Sequence, residues 1–419
     1  MRTATAIDIL LVDDEPFMLK LLSHMLNKLD FTAVRTATSG EEALQEIVST
    51  NTQPNLIMLD LNMPKMDGIE FIRKLTKTQF KGSLIFVTGE GARIVKTVEK
   101  LATSHQIQVL GHLLKPVTQQ ALQAIVKTWT ASEKKTPSKP DKKAYRASEL
   151  HRAINNGELI NYYQPKVDVS TGHTIGVEAL VRWQHPVDGI VYPDEFISLA
   201  EKHGLINELT FAVLSEALNQ ANLWREAGIA LQIAVNVSMD NLVSLDFPDV
   251  VAELTEKSGV PNHNVILEIT ESSLMQDAGL VLDILTRLRL KRFGLSIDDF
   301  GTGHSSLRQL HDIPFDQLKI DQSFVGSACS DPAALAIYTA SLKLGKQLGM
   351  EVVAEGVETR EDWELLLRTK CDIAQGYFIA RPMPAADLGS WMAEWQLRVD
   401  QQLYKKGGTQ RAEHHPVAM

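Results

Sequence analysis

The chain has 419 residues, of which 44% are hydrophobic and 22% are charged. These values exclude a collagen-like, low-complexity or wholly disordered protein, and the length predicts two or three domains, or two if one is a barrel of about 200 to 250 residues. Two cysteines cannot form a disulfide framework, and the sequence contains neither an apolar run long enough to span a bilayer nor the apolar core of a secretory leader. We therefore expect a cytoplasmic protein with no membrane insertion.

Charge is distributed unevenly along the chain. Residues 1–130 contain 14 basic and 13 acidic side chains, residues 131–146 contain 6 and 2, and residues 147–419 contain 22 and 37. Binding to duplex DNA requires many basic groups, and the acidic C-terminal part has neither these nor a helix-turn-helix pattern. We expect no direct DNA binding, which argues against a transcription factor.

The composition divides the chain into segments. Residues 131–146 contain two prolines and no apolar periodicity, which predicts a basic linker between a domain at 7–130 and a domain at 147–400. Residues 401–419 are polar and are predicted to form a disordered tail.

Apolar runs alternate with helical patterns in residues 7–130. A helix is predicted after Pro16, a residue suited to the first helical turn. The predicted strands are Ile7–Val12, Thr32–Thr36, Asn55–Leu59, Ser83–Val87 and Ile107–Leu110. Strands separated by helices predict a doubly wound, flavodoxin-like α/β fold with a parallel sheet.

Polar residues follow these strands, at Asp13, Asp14, Asp60, Thr88 and Lys115. In an open parallel sheet the strand ends meet at one crevice, so the five side chains should converge there. Oxygen ligands of this kind suit Mg²⁺, and Asp60 could then attack a phosphoryl group while Lys115 and Thr88 bind its oxygens. The alternative is that each acid only caps a helix or a turn.

With these five residues in place, residues 7–130 resemble the receiver domains of two-component response regulators. The resemblance implies that Asp60 is phosphorylated by a histidine kinase or a phosphotransfer protein. It also implies that Asp13 and Asp14 bind a metal ion, with Lys115 beside the phosphoryl group, and that Thr88 and position 112 reorient on phosphorylation. Position 112 is His112, where Tyr or Phe is more usual.

The C-terminal part contains eight further apolar runs that read as strands. They are Tyr162–Val167, Thr174–Val181, Leu231–Val237, Val265–Ile269, Leu295–Ile297, Gln317–Ile320, Glu351–Val353 and Ile373–Ala374. Polar residues mark the ends of most of them, at Glu178, Asn236, Glu268, Asp298, Asp299, Lys319, Glu355 and Gln375. Eight strands with intervening helices predict a barrel, and barrel enzymes build their sites at this end of the strands.

Five carboxylates in one barrel mouth repel one another unless cations join them. Two divalent ions would resolve this and would suit displacement at phosphorus, which predicts phosphodiester or phosphomonoester hydrolysis. Two alternatives are helix caps at the strand ends and a glycosidase, although a glycosidase needs neither the Asn and Lys companions nor the consecutive Asp pair.

The motifs together resemble the EAL-domain phosphodiesterases. They are Tyr163-Gln164-Pro165, Glu178-Ala179-Leu180 with Arg182-Trp183, Asn236, Glu268 to Glu271, Asp298 to Ser306, Lys319-Ile320-Asp321, Ala354 to Glu358 and Gln375-Gly376-Tyr377. The resemblance covers about residues 147–395. It implies a modified TIM-type (β/α)8 barrel with an antiparallel first strand, and hydrolysis of cyclic di-GMP to pGpG with Mg²⁺ or Mn²⁺ and inhibition by Ca²⁺.

The resemblance also implies roles for individual residues. Glu178, Asn236, Glu268 and Asp298 would bind one metal ion, and Asp298 and Asp299 the other. Glu355 would complete the second site or act as base, Lys319 would contact the attacking water, and Gln375 would support the centre. Gln164, Leu180 and Arg182 would bind substrate. Glu271 would anchor the loop from Gly301 to Ser306, in which His304 replaces the more common Tyr.

The leading hypothesis is a response regulator in which phosphorylation of Asp60 changes cyclic di-GMP hydrolysis, acting as a homodimer or higher homo-oligomer. The alternative is a signalling module that binds cyclic di-GMP without hydrolysing it. The sequence does not predict the direction of regulation, because that depends on contacts between the domains.

Overall fold

A computed structural model describes residues 7–49, 53–78, 80–105, 107–135, 145–271, 278–302, 310 and 312–403. The chain forms two compact units, residues 1–141 and 142–419, which are described separately. Among the described residues, no helix combines the length and the hydrophobicity that a membrane span requires.

The N-terminal unit is a five-stranded parallel sheet with the order β2-β1-β3-β4-β5. Its strands are β1 Asp8–Val12, β2 Ala33–Ala37, β3 Leu56–Asp60, β4 Ser83–Thr88 and β5 Gln108–Leu114. Apolar residues pack on both faces of the sheet, as expected for strands covered by helices on either side. The predicted doubly wound fold is confirmed.

Five helices cover this sheet: α1 Pro16–Asn27, α2 Gly40–Ser49, α3 Gly68–Leu75, α4 Ala92–Ser104 and α5 Gln119–Lys135, with a 3₁₀ turn at Thr76–Thr78. Helix α1 begins at Pro16, as predicted. Helix α5 continues through Lys135, so the first residues of the predicted linker are helical. The end of that segment is also ordered, because the Tyr145 ring packs 4.8 Å from that of Trp183. Residues 136–144 lie outside the described residues.

The C-terminal unit contains a closed barrel of eight strands. They are β6 Leu159–Asp168, β7 Thr174–His185, β9 Gln232–Val237, β10 Val265–Thr270, β11 Gly294–Phe300, β12 Gln317–Ile320, β13 Glu351–Ala354 and β14 Ile373–Ala374. Strand β6 is antiparallel to both of its neighbours, β7 and β14, and the remaining pairs are parallel. The barrel with an antiparallel first strand is confirmed. Two short strands, β8 Gly189–Val191 and β15 Met383–Pro384, extend the sheet beyond the barrel.

The barrel helices pack on a continuous apolar core. They are α6 Ala147–Asn155, α7 Ile197–Lys202, α8 Ile206–Glu226, α9 Phe247–Ser258, α10 Ala278–Leu290, α11 Gln322–Val325, α12 Pro332–Gln347, α13 Arg360–Thr369 and α14 Leu388–Arg398. Shorter 3₁₀ turns lie at Pro193–Glu195, Met239–Val243, Asn262–Asn264 and Ala385–Asp387, and a π-helical turn at Val399–Leu403 runs past the predicted domain end at residue 400. The predicted tail from residue 404 onward lies outside the described residues.

Candidate active site

Two consecutive carboxylates reach the barrel mouth because β11 is irregular at its end. Successive side chains of a regular strand point to opposite faces. Here the pairing of β11 with β12 shifts register between Ile297 and Phe300, and Asp299 adopts a left-handed backbone conformation with φ +55°. One oxygen from each of Asp298, Asp299 and Glu355 lies within 4.8 Å of the others. The bulge therefore places both aspartates at one site, as bulges beside active sites often do.

Lys319 lies at the centre of the acidic cluster. Its side chain is 1% exposed, and Nζ is 2.6 Å from Glu268 Oε2, 2.8 Å from Glu355 Oε1 and 3.1 Å from Asp298 Oδ1. Glu178 Oε2 is farther away, at 3.7 Å. Burial by itself would lower the pKa of Lys319, but attraction to these carboxylates outweighs it and raises the pKa well above its usual value.

Two amide side chains hold Glu178 in place, and a third, that of Gln164, contacts one of them. Asn236 Nδ2 donates to Glu178 Oε1 at 2.7 Å, and Gln375 Nε2 donates to Glu178 Oε2 at 2.6 Å and to Gln164 Oε1 at 3.0 Å. Gly376 follows Gln375 at φ +154°, and a Cβ there would lie 2.3 Å from the backbone of Val357. Only glycine therefore allows the chain to bring Gln375 this close.

The carboxyl groups of the cluster differ in proton affinity. Burial raises the pKa of Glu178, and partial desolvation with repulsion from Asp298 raises that of Asp299. Burial, with repulsion from Asp298 and Glu178, raises the pKa of Glu355 to about 8. Burial also acts to raise the pKa of Glu268, but Lys166 and Lys319 outweigh it and lower the pKa to about 2. Crowded oxygen donors of this kind fit hard divalent cations, which would neutralise the negative charge that the two lysines leave uncompensated.

A cavity of about 220 Å³ opens onto this cluster. Predicted residues that line it are Gln164, Glu178, Leu180, Asp299, Glu355 and Gln375, and it is also lined by Asp321, Glu358 and Tyr377, to which the sequence analysis assigned no role. All three lie within motifs named above, so their position beside predicted site residues was the available signal.

Arg182, predicted to bind substrate, is buried between two aromatic rings. Its guanidinium carbon is 5.5 Å from the ring centre of Tyr162 and 5.1 Å from that of Tyr192, and Nη1 donates to the Val181 carbonyl at 2.8 Å. Arg182 is not among the residues that line the cavity.

The predicted loop anchor, Glu271, contacts the first residue of the predicted loop. The backbone N–H of Gly301 donates to Glu271 Oε2 at 2.8 Å. The remainder of the predicted loop, residues 303–306 including His304, lies outside the described residues.

The predicted site of the N-terminal unit also comes together. Asp13, Asp14 and Asp60 each offer an oxygen within 4.8 Å of the others, and Lys115 Nζ is 2.9 Å from Asp13 Oδ2 and 2.7 Å from Asp60 Oδ2. Burial raises the pKa of Asp13. Burial would lower the pKa of Lys115, but Asp60 and Asp13 outweigh it and raise the pKa.

The two predicted switch residues differ in environment. Thr88 is fully buried, and its Oγ1 accepts a hydrogen bond from the Glu90 backbone N–H at 3.1 Å. The His112 ring is exposed, and Nδ1 lies 3.0 Å from Glu99 Oε1 on α4.

Comparison with known families identifies both units of the chain. The family model of the EAL domain matches residues 147–382, and that of the response regulator receiver domain matches residues 9–127. The chain belongs to the EAL-domain family. It is a response regulator with an N-terminal receiver domain and a C-terminal EAL domain.

Individual relatives show the same relationship. The cyclic di-GMP phosphodiesterase RocR of Pseudomonas aeruginosa is 31% identical over 379 residues, which cover 90% of this chain and 96% of RocR. The bifunctional diguanylate cyclase/cyclic di-GMP phosphodiesterase MucR of the same organism is 43% identical over 241 residues, but these cover only 35% of MucR. The structure of the MucR phosphodiesterase in complex with c-di-GMP has a TM-score of 0.56 at 42% identity, covering 57% of this chain and 98% of that one.

Proposed function

We propose that the EAL domain hydrolyses cyclic di-GMP to linear pGpG and that phosphorylation of Asp60 regulates this activity. The observation that carries the proposal is the convergence of five carboxylates and Lys319 beside an open cavity at the barrel mouth. RocR, which the chain matches over almost its whole length, supports the choice of substrate.

Metal ions fit the donors at this mouth. Glu178, Asn236, Glu268 and Asp298 would hold one divalent cation, and Asp298 and Asp299, with Glu355, a second. Bound Mg²⁺ or Mn²⁺ supplies positive charge for the phosphodiester and acidifies a water molecule. The carboxylates alone would repel an anionic substrate. Bound cations would remove this repulsion and allow the substrate to approach the acidic domain.

The protein's own groups orient the reactants. Lys319 adds a fixed positive charge and contacts the attacking water, whose oxygen adds to phosphorus as one ester bond to a ribose oxygen breaks. Glu355 either completes the second metal site or accepts the proton of that water. Gln375 orients Glu178 through its 2.6 Å hydrogen bond. Gln164, Leu180 and Arg182 bind the substrate, and the two tyrosine rings restrict the orientation of Arg182.

The receiver domain has the groups that phosphoryl transfer requires. Asp60 would accept a phosphoryl group from a histidine kinase or phosphotransfer protein, with a divalent ion held by Asp13 and Asp14. Lys115 already contacts Asp60 and would neutralise the phosphoryl oxygens. Thr88 would move to bind a phosphoryl oxygen, and the side chain of His112 would reorient in response.

Product analysis tests the proposed hydrolysis. The purified full chain with Mg²⁺ should convert cyclic di-GMP to pGpG, and the Glu178→Ala variant should not, with thermal melting used to confirm that the variant folds. Equal rates in the two proteins would refute the assigned site. Binding of cyclic di-GMP without any product, in Mg²⁺ or Mn²⁺, would support a non-catalytic sensor instead.

A further inference from the structure

A second buried lysine, to which the sequence analysis assigned no role, lies behind the acidic cluster. Lys166 on β6 is 4% exposed, and its Nζ forms an ion pair with Glu268 Oε1. The other oxygen of the same carboxylate, Glu268 Oε2, is 2.6 Å from Lys319 Nζ. Both oxygens of one buried glutamate are therefore paired with ammonium groups from different strands.

The register of β6 explains the position of Lys166. In the antiparallel pairing of β6 with β7, Gln164 lies opposite Glu178 and Lys166 lies opposite Gly176. Residues two apart in a strand share a face, so Lys166 points to the same side as Gln164 but one step farther from the mouth. It does not line the cavity, although Gln164 does. Lys166 thus reaches Glu268 from inside the barrel.

The two lysines differ in the number of carboxylates that they contact. Lys319 is shared among Glu178, Glu268, Asp298 and Glu355, whereas the structure shows one ion pair for Lys166, with Glu268. A buried carboxylate that loses its countercharge is strongly destabilised. If Lys319 moved toward a water molecule or a substrate, Glu268 would lose its ammonium contact and would keep only a metal ion shared with other carboxylates, unless a second lysine remained.

We propose that Lys166 is a positioning residue that holds Glu268 from inside the barrel, so that Lys319 can leave Glu268 and serve the reacting phosphodiester. The inference rests on the proposed function, because it assigns Lys319 to the reaction. It predicts that Lys166 affects catalysis only through Lys319.

Substitution of Lys166 by methionine keeps most of the side-chain volume and removes the charge. Among the described residues, Lys319 is then the remaining lysine in contact with Glu268, and it is held there. At saturating Mg²⁺, kcat should fall about tenfold or more, which corresponds to loss of roughly one charged contact in the transition state. The KM for cyclic di-GMP should stay the same. The Mg²⁺ concentration that gives half-maximal activity should not rise, because the site of the variant carries more net negative charge.

The kinetic experiment compares the full-length wild type with K166M, K166R, K319M and K166M/K319M. K346M is the matched control, because the ammonium of Lys346 pairs with Asp372 at 3.0 Å on the surface. K166R should recover part of the lost kcat, K346M should match the wild type, and the double variant should be no slower than K319M. A K166M kcat within twofold of the wild type, or losses that multiply in the double variant, would overturn the inference.

A second measurement does not depend on turnover. In chelator, the melting temperatures of the wild type, K166M, E268Q and K166M/E268Q give the coupling between Lys166 and Glu268. K166M should lower the melting temperature more in the wild type than in the E268Q background, because neighbouring partners couple and independent sites add. Additive losses would overturn the inference.

A wild type that does not hydrolyse cyclic di-GMP contradicts the proposed function, whereas an active wild type with normal K166M kinetics contradicts only the role of Lys166.

Discussion

The backbone N–H of Asp299 donates to Asp298 Oδ1 at 2.9 Å, which ties two consecutive carboxylates together at the barrel mouth. Asp299 holds the left-handed φ of +55° that this arrangement needs. Asp and Asn tolerate that conformation, whereas most other non-glycine residues pay about 1 to 2 kcal/mol.

We therefore expect Asp299→Asn to melt no lower than the wild type, because it keeps the backbone conformation and removes a repelled charge, and Asp299→Ala to melt lower than Asp299→Asn. Both should lose about 100-fold or more in activity, because metal ligands matter at least as much as outer-shell groups, whose loss costs 10- to 100-fold. Thermal melts and initial rates on the same preparations check this. An Asp299→Asn variant with wild-type activity would show that Asp299 is not a metal ligand.

Gln375 should matter through the carboxylate that it orients. Gln375→Ala removes the donor 2.6 Å from Glu178 Oε2, and we expect affinity for Mg²⁺ to fall about 10- to 100-fold. Titration of activity with Mg²⁺ should show a higher half-saturating concentration, with much of the rate recovered at high Mg²⁺. Gln322→Ala, at another cavity-lining glutamine, is the control. Loss of rate at an unchanged half-saturating concentration would contradict this role.

Phosphorylation should act through Asp60. Beryllium fluoride mimics a phosphoryl group on a carboxylate, so it should change the turnover of the wild type and have no effect on Asp60→Asn. Asp67→Asn is a suitable control, because Asp67 caps α3 by accepting from the Glu70 N–H and asparagine caps equally well. Turnover that ignores beryllium fluoride in the wild type would indicate an EAL domain that works independently of its receiver.

Metal identity should decide activity. Removal of divalent ions with chelator should abolish hydrolysis, and Mg²⁺ or Mn²⁺ should restore it. Ca²⁺ should not, because its larger and looser coordination sphere positions water poorly. Product formation in Ca²⁺ equal to that in Mg²⁺ would argue against the proposed chemistry.

Stability should depend on pH through Glu216 on α8. Burial raises the pKa of this carboxyl group, which accepts a hydrogen bond from Tyr163 Oη at 3.2 Å. A pKa that is higher in the folded state stabilises the fold at low pH, and this contribution is lost as pH rises through the folded pKa. Glu216→Gln keeps an acceptor for Tyr163 and removes the partly buried charge.

The melting temperature of Glu216→Gln should exceed that of the wild type by roughly 1 to 3 °C at pH 8, with a smaller difference at pH 5. Glu226→Gln, at an exposed position of the same helix, should show no such pH-dependent difference. Thermal melts at the two pH values provide the measurement. A difference that does not change with pH would show that the charge of Glu216 is not the cause.

The sequence by itself determined which residues could form each site. Apolar runs that end in Asp, Glu, Asn, Lys or Gln place polar groups at the strand ends, and parallel strands bring those ends to one edge. Asp13, Asp60 and Lys115 in the receiver, and Glu178, Glu268 and Lys319 in the EAL domain, follow from that local pattern. Both folds and the family motifs could be recognised from the sequence for the same reason.

Only the tertiary structure decided how these groups are paired. The pairing of Lys166 with Glu268 joins residues 102 positions apart, and it depends on the antiparallel register of β6. The bulge that turns Asp298 and Asp299 to one side exists only in the pairing of β11 with β12. Side-chain alternation is a property of one strand, whereas bulges and ion pairs are properties of strands in contact, so the pattern of either strand alone does not predict them.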